Sequence, residues 1–186
     1  MGKRNTFVVA LLWAVFVMVV VHFTAFPGSV PDFSHASGGG ILLDAVPAFT
    51  PDAIYERLAG YGDAGRTNYA FRNVSVDVIL PLSLLPFFVL LMRRAAKAAS
   101  IDARARVFLL LIPVLYVVFD FFENAVVLML LAHYPSRMDR WATLLPALTI
   151  VKRIASLLAL IVPLAILSVL SVRTRTGSGA PPALST

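Results

Sequence analysis

The chain has 186 residues, 59% of them hydrophobic and only 14% charged, with a mean hydropathy of +0.85; a soluble domain carries about 25% charged residues, so lipid is its expected main solvent. The net charge of +6 gathers in short segments between apolar runs, the pattern of cytoplasmic membrane anchors and not of a nucleic-acid-binding face. The absence of cysteine excludes disulfides, zinc–thiolate sites and cysteine nucleophiles, and neither a metal-binding nor a cofactor-binding pattern stands out.

A membrane-crossing helix needs about 20 mainly apolar residues, and four segments qualify. The first covers residues 6–26 behind Lys3 and Arg4. It exceeds the roughly 7–15 apolar residues of a secretory signal, so it reads as a retained span. The next segment, 27–73, reads as an exterior loop. Residues 27–40 are irregular, being rich in Pro and Gly. Residues 41–49 are too short to cross, and are expected to lie on or dip into the outer leaflet. Thr50-Pro51-Asp52 is a helix start, with a capping Thr, Pro at the first helical position and an acid near the positive dipole end. The helix it opens puts Ile54, Tyr55 and Leu58 on one face and ends at Gly60 or Gly62, which suits a short amphipathic helix at the membrane interface. Another helix is expected to start near Asp63 and to run directly into the second span, 74–92, which contains Pro81 and Pro86. The third span is 107–132 and the fourth 141–172.

The reading is an all-α, four-transmembrane-helix bundle forming one integral membrane domain over 1–186. The connector 93–106 holds Arg93, Arg94, Lys97, Arg104 and Arg106, the densest basic cluster, and the positive-inside rule assigns it to the cytoplasm. Both termini, including the tail 173–186, then face the cytoplasm of a cell whose plasma membrane holds the chain. Contact of the basic connector with anionic lipid head groups is an expected by-product. Asn73-Val74-Ser75 matches a glycosylation sequon but sits against the membrane, where chance explains it better; Gly60, Gly62 and Gly65 are read as helix punctuation.

Charged and polar residues recur at one depth. At a 1.5 Å rise per residue, His22, Asp77, Asp120, Glu123, Lys152 and Arg153 all lie about 21–30 Å from the basic anchors of their own spans, in the outer half of a core roughly 30 Å thick. Asp120, Glu123 and Asn124 share one helical face, with Tyr116 one turn away. Asn73, Asp77 and Pro81 share another face, near Tyr69. Thr149, Lys152, Arg153 and Ser156 share a third. An ionised side chain facing lipid at mid-span costs about 2.5–3.5 kcal/mol or more, so these groups must turn inward and pair, or the acids stay protonated. Lys152 or Arg153 is therefore expected beside Asp120 and Glu123. If the fourth span begins near Ile154 instead, both cations would snorkel to the interface.

The series Thr50-Pro51…Tyr55, Tyr61-Gly62-x-x-Gly65-Arg66-x-x-Tyr69, Asp77, Pro81, Asp120-x-x-Glu123-Asn124 and Lys152 resembles a group of small bacterial four-helix membrane proteins of no assigned activity. The resemblance covers roughly residues 50–155 and implies the four-span architecture without an activity. Two functions fit the residues. One is binding or processing of a lipophilic small molecule, with Asp120 and Glu123 as acid–base candidates and Asn124, Asp77, Lys152, Arg153, His22, Tyr116 and Tyr69 as binding groups. The other is a non-catalytic membrane subunit whose buried ion pairs fix helix packing. Membrane lipids are expected partners. Transport would ask for a homodimer, because four helices seldom enclose a pathway alone.

Overall fold

The computed structural model describes residues 3–177, of which all the regular structure is helical. The elements are α1 (Lys3–Phe23), α2 (Val30–Ala36), α3 (Pro51–Gly60), α4 (Gly62–Val74), α5 (Val76–Ala98), α6 (Ala103–His133) and α7 (Asp139–Gly177). Four stretches are long and apolar enough to cross a membrane: Asn5–Phe23, Gly62–Ala98, Ala103–His133 and Asp139–Arg173. Each turns large apolar side chains outward, among them Leu12, Phe16, Ile79, Phe108, Phe122 and Ile161. Apolar faces of that extent are the expected surface of a protein solvated by lipid. The chain thus fits an integral membrane protein.

Helices α5, α6 and α7 pack against one another, and α1 lies against α5. Their contact is made by Leu84, Phe88, Tyr116, Val117 and Ala159, with Ala14 of α1. Phe88 and Tyr116 meet edge to face with ring centroids 5.8 Å apart, the favoured geometry of aromatic pairs. Small residues at Ala14, Ala155 and Ala159 let backbones approach, as helix packing in lipid requires. Pro81, Pro113 and Pro163 sit inside long helices, which neighbouring helices tolerate in membranes.

A second core caps one end of the bundle. Phe33, Leu42, Leu43, Ile54, Tyr55, Leu58, Tyr61 and Tyr69 pack onto Val126, Val127 and Leu130 of α6 and Ala142 and Leu145 of α7. Here the amphipathic face of α3 differs from its expected use. Ile54 and Leu58 have no exposed surface; they are covered by protein and not by a membrane interface. The 41–49 segment is likewise folded onto the bundle through Leu42, Leu43 and Ala48. The helix start is as expected: the Thr50 hydroxyl accepts from the Ala53 amide at 3.2 Å, with Pro51 in the first turn. Tyr55 fixes the α6–α7 turn by accepting from the Met138 amide at 2.5 Å.

Helix α4 carries the cap and leads into α5 after a break at Ser75 (φ −120°, ψ −82°), so the helix expected to run directly into the second span is interrupted there, within the apolar stretch Gly62–Ala98. Asp32 of α2 accepts from the Gly28 amide (2.8 Å) and from Asn68 of α4 (2.6 Å). These two bonds hold its carboxyl below the usual carboxylate range. Burial moves the Tyr61 hydroxyl in the other direction, above its ordinary value; that hydroxyl donates to the Ile41 carbonyl at 2.6 Å.

Gly65 marks the closest approach of α4 to α2. A Cβ there would lie 2.8 Å from the Ser37 Cβ and 2.9 Å from its Cα. Since the obstruction includes backbone, Gly65→Ala is expected to cost about 1–3 kcal/mol. Thermal unfolding in neutral detergent measures this, with Gly60→Ala as the control, because a Cβ at Gly60 meets nothing.

Candidate functional site

The polar residues do meet between the helices. Asp120 and Glu123 project from one face of α6, and Lys152 of α7 ion-pairs with both, reaching the Asp120 Oδ1 at 3.2 Å and also the Glu123 Oε2. The Thr149 hydroxyl, one turn before Lys152, donates to the other Glu123 oxygen and lies within 3.1 Å of the Leu145 carbonyl. Asn124 donates to the Asp120 Oδ2 (3.2 Å) and to the Asp77 carbonyl (3.1 Å), joining α6 to α5. Because α7 is continuous from Asp139, Lys152 does not escape to an interface; its side chain is 11% exposed. The cost of burying these charges is met by pairing, as the energetics demand.

A second pair closes the α4–α5 break. Arg72, almost wholly buried, holds the Asp77 Oδ1 at 2.8 Å and donates to the Gly28 carbonyl at 2.8 Å. Arg153 turns away from Asp120 and Glu123. It donates to the carbonyls of Asp44 and Ala45, each at 2.5 Å, tying the 41–49 segment to α7. The Tyr69 hydroxyl reaches the Asp44 Oδ1 at 3.3 Å. His22 turns its Nδ1 back to donate to the Met18 carbonyl at 2.8 Å, leaving Nε2 free.

Beside this network lies a cleft of about 530 Å³. Its polar wall consists of His22, Asp44, Arg72, Asp77, Tyr116, Asp120, Asn124, Lys152, Arg153 and Ser156, and its apolar wall includes Leu80, Leu84, Phe88, Leu157 and Leu160. The geometry sorts the expected site residues into two groups. Asp120, Asp77, Asn124, Lys152, Arg153, His22 and Tyr116 line the cleft. Glu123 and Tyr69 do not; both are enclosed by protein, with Glu123 behind Lys152. Two groups that the sequence did not single out belong to the network, Arg72 and Asp44, and Thr149, expected on the polar face of Lys152, joins it as well. Arg72 stands five residues before Asp77, about 140° away on a continuous helix, and the pair closes across the break at Ser75. Asp44 is an isolated acid in a loop, and nothing local points to it.

The arrangement brings paired donors and acceptors and hydrocarbon side chains to one cavity.

Comparison with family models, curated proteins and solved structures finds no match to this chain.

Proposed function

We propose that the chain binds, or chemically processes, a lipophilic small molecule with a polar end in the cleft between α1, α5, α6 and α7. The observation that supports this is the cleft itself: Asp120, Asn124, Asp77 and Lys152 line it together with leucine and phenylalanine side chains. Concave, mainly apolar sites with a few convergent polar groups are the usual form of small-molecule sites. In this reading Asp120 anchors the polar end or exchanges a proton with it. Asn124 orients Asp120, and Lys152 sets its charge. The 41–49 segment, held by Arg153, forms the lid. In this reading, which follows the charge rule, the cleft faces the outer leaflet of a plasma membrane and both termini the cytoplasm. The reading would extend to the small bacterial membrane proteins that share the Asp120-x-x-Glu123-Asn124 pattern.

The test is mass spectrometry of small molecules that co-purify with the detergent-extracted protein. A hydrogen bond to a charged group contributes about 1.5–3 kcal/mol, so Asp120→Asn should reduce retention of the molecule roughly tenfold or more. Glu123→Gln, behind the wall, should change it little. Equal retention by wild type and Asp120→Asn, or no retained molecule in either, would count against a ligand site. It would favour the second reading, in which the network only fixes helix packing. That reading draws support from Glu123, which is wholly enclosed between Lys152 and Thr149.

A further inference from the structure

At the other end of α5, about 25 Å from Asp77 at 1.5 Å per residue, lies a second groove that the proposed function does not use. Its volume is about 750 Å³ and it is lined by the exposed side chains of Arg93, Arg94 and Lys97 of α5 and Arg106 of α6. The less exposed Phe7 of α1, Leu90 of α5 and Leu110 of α6 supply its apolar lining, or floor. No carboxylate pairs with any of the four cations among the described residues. The nearest acid in sequence, Asp102, is committed elsewhere: it accepts from the Arg104 and Ala105 amides at 2.9 and 3.0 Å and caps α6. Arg94 is stacked over the Phe7 ring, 4.2 Å from its centroid. Stacking fixes the guanidinium at the rim while leaving its edge N–H groups available.

We infer that this groove is a site for one anionic glycerophospholipid. Its phosphate would sit among Arg93, Arg94, Lys97 and Arg106, and an acyl chain would lie along Phe7 and Leu110. The cations alone would attract any phosphate. The apolar floor selects a lipid, because a free phosphate would leave that floor uncovered. A purely topogenic basic loop explains the charge but not a groove in which four cations surround hydrocarbon-lined space. Arginine forks suit phosphate oxygens in pairs, and each basic residue at an anionic lipid surface is worth about fivefold in binding.

The experiment is native mass spectrometry of the full chain with equal amounts of phosphatidylglycerol and phosphatidylcholine of the same acyl chains. The wild type should retain one phosphatidylglycerol in preference to phosphatidylcholine. Arg94→Gln with Lys97→Gln should reduce that preference roughly tenfold or more, at unchanged helix content and elution volume. Arg137→Gln, at the opposite end of the bundle, should leave it intact. Leu110→Trp keeps all four charges while filling the floor, and should also release the lipid. Wild-type retention in the double variant, an equal loss in Arg137→Gln, or displacement by inorganic phosphate alone would each overturn the assignment.

Discussion

Lys152→Met is expected to lower the stability of the bundle by about 3–5 kcal/mol, the usual cost of removing one partner from a buried ion pair. Lys152 is the cation that serves both Asp120 and Glu123, and Glu123 has no exposed surface through which water could replace it. The uncompensated charge, and not the lost contact, dominates the effect. Hence the triple change Lys152→Met, Asp120→Asn and Glu123→Gln should recover most of the loss, because neutral amides at these positions still find Thr149 and Asn124 beside them. Reversible unfolding in mixed micelles, followed by far-ultraviolet circular dichroism, reads both values. A loss below about 1 kcal/mol in the single variant, typical of an exposed pair, would mean that Lys152 does not carry the two acids.

Arg72→Met should cost a similar amount, about 3–5 kcal/mol, with a different distribution. Arg72 connects Asp77 at the start of α5 to the Gly28 carbonyl in the turn before α2. Its loss leaves a buried carboxyl and a buried carbonyl without their donor, so the 27–36 region should open before the main bundle does. Hydrogen exchange is the appropriate measurement: protection at the Phe33 and Ser37 amides, which bond to the Ser29 and Phe33 carbonyls, should fall while that of α6 persists. Asp77→Asn in the Arg72→Met background should restore part of the stability but not the protection at Phe33, because the Gly28 carbonyl remains unserved. Uniform loss of protection across α2 and α6 would contradict this division. By contrast Arg137, which pairs with Asp52 and Asp139 at 2.6 and 3.0 Å, is exposed. Those two acids raise its pKa, but an exposed pair of this kind contributes little.

Much of the molecule was legible in the residues because lipid imposes simple rules. Continuous apolar runs located the four spans, and the cost of unpaired charge pointed to Lys152 or Arg153 beside Asp120 and Glu123. What remained hidden was which partner an amphipathic face takes. Ile54, Tyr55 and Leu58 define a stripe by their spacing, but spacing is the same whether lipid or α6 and α7 cover it. Arg153 shows the same limit. It shares a helical face with Lys152, yet one residue of rotation, about 100°, sends it to the Asp44 and Ala45 carbonyls. Asp44 and Arg72 were missed for a related reason. Asp44 joins the network through a loop that folds back over the bundle, and Arg72 meets Asp77 across the break at Ser75; no period in the sequence encodes either. The division between Asp120 at the cleft wall and Glu123 behind Lys152 is a matter of a few ångströms that spacing at i and i+3 leaves undefined.

The ion pairs also constrain how the chain can be made. On its own, α6 would present Asp120 and Glu123 to hydrocarbon, and α7 would present Lys152, each at a cost of about 2.5–3.5 kcal/mol per charge. Their neutralising partners lie in the next helix, across the five-residue turn between His133 and Asp139. Asp77 is different, since its partner Arg72 stands just five positions earlier and enters with it. The chain therefore divides into units of charge balance: the Asp77 pair is closed within α4–α5, whereas the acids of α6 are balanced only together with α7.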